Sequence, residues 1–209
     1  MADTTRTFVA VAVPHALSPR LSRLQVDLAD DLPAVRWVDT PPFHVTLAFL
    51  GDVPHADLAR VCRAVGEAAA DFAPMELALE GLGVFPNPER PRVIWSSLTG
   101  PDLESLTALQ GAVAAAVAAA GYPADSQPFH PHVTLGRFKT APRGGGKGSR
   151  AGPAPAPLSD LTKALHRRRR WSAGPFAVNE VVTFSSNLTR EGPVYAPLSR
   201  ARLAGKPLR

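Results

Sequence analysis

"HVTLAFLG" at residues 44–51 and "HVTLGRF" at residues 132–138 open with the same four letters, 88 residues apart. On a strand, residues i and i+2 share a face and lie about 6.5–7 Å apart, while i+1 and i+3 point the other way. His44 and Thr46 therefore share one face, as do His132 and Thr134 on theirs. Val45, Leu47, Val133 and Leu135 turn to a core. One copy alone reads as the wet side of a half-buried strand. Two copies do not, because three matching residues after two of six histidines arise by chance in about one such sequence in a hundred at ordinary residue usage. A Pro and a Phe also stand within three residues before each copy, at Pro42-Phe43 and at Phe129 and Pro131.

Working outward, "FVAVAV" (8–13) alternates like a strand, and Ser18-Pro19 opens an amphipathic helix to about Asp31. "VRWV" (35–38) and "FHVTLAFL" (43–50) read as strands separated by a Pro41-Pro42 turn, with Gly51 ending the second. A helix over "PHADLARVCRAVGEAAADF" leads to the strands "MELALEGLGVF" and "PRVIWSSL". The order then recurs: Pro101-Asp102 starts an Ala-rich helix that Gly121 can stop, followed by "PHVTLGRF", a weak helix at "LSDLTKAL", and the strands "FAVNEVVTFSS" and "VYAPLSRA". Each half holds a helix, a His-x-Thr strand, a helix and more strand, as after an old duplication. The hairpin-rich order argues against a doubly wound parallel sheet. The expected fold class is α+β: residues 1–209 as one domain of two pseudo-symmetric sheet-plus-helix lobes, antiparallel or mixed, with a cleft between them.

The chain carries a formal charge of +5. Its location is more informative than its sum. Between 139 and 170 nine Lys or Arg face one acid, so that segment is +8 and the rest of the chain is −3. Residues 139–170 are read as a basic Gly/Pro-rich insert, with "APRGGGKGSRAGPAPAP" (141–157) too poor in core-forming residues to pack. "GGGKGS" within it lacks the Gly-Lys-Ser/Thr order of a phosphate-binding loop. The single Cys62 excludes an internal disulfide and reads as a packing residue. No basic leader precedes an apolar run, and no 18 apolar residues run together, so a soluble cytoplasmic protein without a membrane is expected.

Paired histidines suit in-line displacement at phosphorus, which needs a base on the entering oxygen and an acid on the departing one. Imidazole can do either near neutral pH. Two Thr hydroxyls can then donate to the non-bridging oxygens as charge builds. The chemical rival is a metal held by His130, His132 and His44, which would leave both threonines without a role. A binding module that keeps the cleft without chemistry is the other alternative, and it has no need of an acid and a base.

With these residues in view, the chain resembles the two-histidine (2H) phosphoesterase superfamily and, within it, the RNA 2',3'-cyclic phosphodiesterases long called 2'-5' RNA ligases. The likeness runs through "FVAVAVP", "VRWVDTPPFHVTLAFLGDV", "PNPERPRVIWSSL", "PFHPHVTLGRF" and "VVTFSSNLTREGPVYAPL". It implies a bilobal fold and hydrolysis of an RNA terminal 2',3'-cyclic phosphate to a 2'-phosphate, with no metal, no cofactor and no obligate protein partner, by a monomer. By that likeness His44 is the proton donor to the leaving 3'-oxygen and His132 the acceptor from water, with Thr46, Thr134 and Arg137 on the phosphate. A cyclic phosphate on ADP-ribose, or reversible 2'-5' ligation, would use the same machinery. Strict alternation puts Arg137 on the face opposite His132, so it reaches the phosphate only if the strand bulges. Phe8, Trp37, Phe43, Phe129 and Tyr195 are candidates to stack on a base, and "HRRRR" (166–170), in a segment longer than in most relatives, is a candidate to hold RNA phosphates.

Overall fold

A computed structural model describes residues 3–38, 42–123, 128–139, 158–189 and 192–207. The elements run β1 (Thr4–Ala12), α1 (Ser18–Ala29), β2 (Val35–Trp37), β3 (His44–Pro54), α2 (His55–Ala70), β4 (Met75–Phe85), β5 (Val93–Thr99), α3 (Leu103–Ala119), β6 (His132–Phe138), α4 (Leu158–Arg167), β7 (Ser172–Val178), β8 (Glu180–Leu188) and β9 (Pro193–Arg202). They build a four-stranded sheet, β3-β1-β8-β9, and a five-stranded sheet, β2-β6-β5-β4-β7. All described neighbouring strands in both sheets are antiparallel. The α+β, two-lobed expectation holds, and each His-x-Thr strand sits in a different sheet.

Alternation decides which face of each sheet is dry. Val9, Val11, Val45 and Leu47 of the four-stranded sheet join Ile94, Val133 and Leu135 of the five-stranded one in one continuous core. Helix α2 buries Val61, Val65 and Ala69, spaced one turn apart, and packs on the four-stranded sheet with α3 beside it. Helix α1 buries Leu21, Leu24 and Leu28 and reaches the five-stranded sheet through Gln25, which donates to the Leu135 carbonyl at 2.8 Å, and through Arg20, which donates to the Ala173 carbonyl. Asp102 does not cap α3 with its side chain. Its carboxylate accepts from the Glu76 backbone N–H at 2.7 Å and ties the helix start to β4. Gly121, at φ +88°, closes the helix as expected.

Two sequence expectations need correction. Gly51 does not end its strand: β3 continues to Pro54, because a bulge between Phe49 and Gly51 absorbs the positive φ of +70°. "FAVNEVVTFSS" is two strands rather than one. It divides at Asn179, with β7 pairing β4 in one sheet and β8 pairing β1 in the other. Hydrophobic alternation continues through the crossing, since both sheets bury one face in the shared core, so the pattern carries no mark of the break. Of the basic insert, 140–157, including "GGGKGS", lies outside the described residues, while α4 buries Leu161 and Ala164. Arg167 and Arg168 reach Asp31 at 3.0 and 2.9 Å, and Arg168 also donates to the Asp27 carbonyl, so half of the arginine run fastens α4 to α1. Cys62 is half-buried on α2.

Candidate active site

Strands β3 and β6 approach each other where the two sheets meet, and their wet faces open into a cleft of about 440 Å³. His44, Thr46, His132, Thr134 and Arg137 all line it. The two motifs agree beyond their letters. Across "HVTLAF" and "HVTLGR" the burial alternates and then repeats: half-buried, buried, half-buried, buried, buried, exposed. The doubled buried pair is a bulge in each case. On β3, Val9 pairs with Ala48 and Ala10 with Thr46, leaving Leu47 over. On β6, Ile94 pairs with Gly136 and Trp95 with Thr134, leaving Leu135 over.

A bulged residue lacks its ladder partner, and a buried carbonyl left unpaired is costly. Glutamines from the helices behind donate to the carbonyls at both bulges: Gln110 of α3 bonds that of Leu47 at 3.1 Å, and Gln25 of α1 bonds that of Leu135 at 2.8 Å, which also accepts from the Val38 N–H at 2.9 Å, and that of Val38 at 2.7 Å. The bulge also resets the parity of the strand. The fifth residue after each His, which alternation would bury, turns back into the cleft: Arg137 on one wall and Phe49 on the other.

Each imidazole is held the same way. His44 Nδ1 lies 2.9 Å from the Pro42 carbonyl and His132 Nδ1 2.7 Å from the His130 carbonyl. A carbonyl can only accept, so Nδ1 carries the proton in both rings and Nε2 is left to exchange one with a ligand. Burial pushes the His44 pKa below the usual 6.5; the Pro42 hydrogen bond opposes this, and the charge of His132 across the cleft adds to it. His132 is lowered chiefly by burial, against its own backbone hydrogen bond, with contributions from His130 and Arg137. Among the described residues neither Thr46 nor Thr134 spends its hydroxyl on a protein hydrogen bond, and Arg137 has no carboxylate partner.

Aromatic rings pack against both imidazoles. On the four-stranded side His44 touches Phe8 at 4.9 Å and meets the edge of Tyr195 at 5.3 Å. On the five-stranded side His132 meets the edge of Phe85 at 5.0 Å, and Arg137 stands opposite Arg36 in the ladder, both lining the cleft. Of the aromatic candidates, Phe8 and Phe43 are buried beneath the cleft surface, Trp37 and Tyr195 are half-buried in its wall, and Phe129 packs on the core away from it. Sequence reading missed Phe49, Arg6 and Arg36. The equal spacing of Phe49 from His44 and Arg137 from His132 is the signal that could have exposed the first. Among the described residues no three His, Cys, Asp or Glu side chains gather as metal donors, and no helix is long and apolar enough to cross a membrane.

Two antiparallel sheets with a His-x-Thr strand from each facing across a cleft define a two-histidine phosphoesterase. The chain belongs to the LigT-like phosphoesterase family, whose profile matches residues 11–95 and 100–195. It is 34% identical over 187 residues to a protein of Aeropyrum pernix named RNA 2',3'-cyclic phosphodiesterase, covering 88% of this chain and 96% of that one. A Geobacillus stearothermophilus protein of the same name is 32% identical over 201 residues, covering 96% of this chain and 58% of the relative, so the chain spans under two thirds of that protein's length. Among solved structures, one from Thermus thermophilus superposes with a TM-score of 0.71 at 27% identity, covering 96% of this chain and 99% of that one. E. coli LigT complexed with 3'-AMP gives 0.69 at 25%, with the same coverage.

Proposed function

We propose that this chain hydrolyses the 2',3'-cyclic phosphate at an RNA end to a 2'-phosphomonoester, with His44 and His132 as acid and base and no metal. His132 Nε2 accepts a proton from water as the water oxygen attacks phosphorus. The P–O3' bond breaks, and His44 Nε2–H delivers its proton to the departing 3'-oxygen. Thr46, Thr134 and the Arg137 guanidinium donate to the non-bridging oxygens as negative charge accumulates. The 2'-oxygen stays on phosphorus, so the product is the 2'-phosphate and a free 3'-hydroxyl.

The observation that carries this reading is the pair of imidazoles on opposite walls of one cleft, each with Nδ1 fixed on a carbonyl. In a cyclic substrate the leaving oxygen belongs to the ribose, and the resemblance to the family puts His44 on that oxygen and His132 on the water. The relatives named RNA 2',3'-cyclic phosphodiesterase support the substrate class. A short RNA with a cyclic phosphate end, incubated with EDTA, tests it: a 2'-phosphate forms with the unaltered chain, and His44→Ala and His132→Ala each slow turnover by about 10²–10⁴-fold. A 3'-phosphate product contradicts the choice of leaving oxygen, and loss of turnover on chelation contradicts metal independence.

A further inference from the structure

We propose that Arg6 and Phe49 form a subsite for the nucleotide that precedes the cyclic end, so that the cleft reads an RNA terminus rather than a lone nucleoside cyclic phosphate. The proposal rests on the activity inferred above. On the cleft face of the four-stranded sheet, Phe8 is flanked by its cross-strand partners Phe49 and Phe184, at 6.0 and 5.2 Å between ring centroids and with planes within 9° and 20° of parallel. Phe8 and Phe184 are buried at 2% and 3% exposure and back His44, whereas Phe49 is 45% exposed where the row reaches the cleft rim. The ring is held there by the bulge at Leu47.

Arg6 completes the pair. It stands opposite Asp52 in the β1–β3 ladder, the obvious partner for an ion pair, yet its guanidinium lies 5.0 Å from the Phe49 ring centroid instead. Among the described residues no carboxylate neutralises it. An exposed aromatic ring with an unneutralised guanidinium over it is the chemistry of a single-stranded nucleic acid subsite, where the ring or the guanidinium plane stacks on a base and the cation takes a backbone phosphate. Leu188 and Pro193 line the same cleft and give the base an apolar flank. The reacting phosphate belongs between His44 and His132, and Phe49 lies beyond Phe8 from His44, so the terminal nucleoside fills the interior and the rim is left for its neighbour.

The test compares kcat/KM for three substrates: a nucleoside 2',3'-cyclic phosphate, and a dinucleotide and a tetranucleotide with the same end. Arg6→Gln and Phe49→Ala should each lose about tenfold on the two longer substrates, the scale of one lost stacking or phosphate contact, and under about twofold on the mononucleotide. Arg6→Gln should also reduce the slope of log kcat/KM against log salt by about one for the dinucleotide. Phe49→Leu keeps the packing on Phe8 and should show the same selective loss, which separates stacking from folding. Equal losses on all three substrates, or no loss on any, overturn the proposal. Titration of the unaltered and variant chains with 2'-phosphate-ended dinucleotide and mononucleotide gives the same comparison without turnover. An unaltered chain that binds the dinucleotide better, by way of Arg6, but hydrolyses nothing leaves the subsite standing and removes the activity.

Discussion

At the scale of single residues, the two imidazoles carry the account, and their titration is its most accessible signature. The free-enzyme profile, kcat/KM against pH, rises as the base loses its proton and falls as the acid does, and it centres midway between the two titrations. Both are held below 6.5, chiefly by burial. The optimum of kcat/KM is therefore expected on the acid side of 6.5. The bound phosphate monoanion favours the protonated acid, so the falling limb of kcat lies at higher pH than that of kcat/KM. A pH series of initial rates separates the two, and a kcat/KM optimum above 7 contradicts the burial argument. His44, Thr46, His132 and Thr134 were legible because a strand's period of two assigns their face directly. Arg137 was not, because its face depends on a bulge, and nothing in "HVTLGRF" announces one except the small Gly136 beside Leu135. Phe49 was overlooked for the same reason on the other strand.

At the scale of elements, the two bulges and their glutamines are a repeated device, and they cross over: α1, which precedes the first motif, secures the second, while α3 secures the first. Gln25 occupies a buried position beside Leu21, Leu24 and Leu28, where a Leu would suit the helix pattern equally well. Replacing it by Leu leaves the Leu135 carbonyl with the Val38 N–H alone, at 2.9 Å, and takes the amide donor from the half-buried Val38 carbonyl, so stability should fall by about 1–3 kcal/mol. Denaturant unfolding measures this, and an unchanged midpoint shows that the bulge does not need the Gln25 amide. Helices and most strands could be read from periodicity and caps, because those signals are local. The passage from β7 to β8 could not, since choosing between two sheets that bury the same face is a tertiary decision. The arginine run shows the limit of charge patterning: four consecutive arginines read as one patch, yet Arg167 and Arg168 are spent on Asp31 and the α1 backbone.

At the scale of the whole molecule, the charge is divided: a body of −3 holds a cleft lined by Arg6, Arg36 and Arg137, and the segment 139–170 adds +8. A long RNA can meet both, a nucleoside cyclic phosphate only the cleft. Removing 141–157, and with it Arg143, Lys147 and Arg150, should therefore flatten the salt dependence of kcat/KM for an oligonucleotide and leave the mononucleotide unchanged. Equal loss on both substrates would assign that segment to the site itself. What unites the scales is the proposed opposition of two proton-carrying groups across one phosphate, and a leaving group that needs no proton tests it most directly. With the bridging 3'-oxygen of the cyclic phosphate replaced by sulfur, a thiolate departs unaided. On the oxygen substrate, His44→Ala and His132→Ala should each be slower by about 10²–10⁴-fold. On the sulfur substrate, His44→Ala should recover to near the unaltered rate while His132→Ala stays slow; recovery of His132→Ala instead, or of both alike, contradicts the assignment of acid and base.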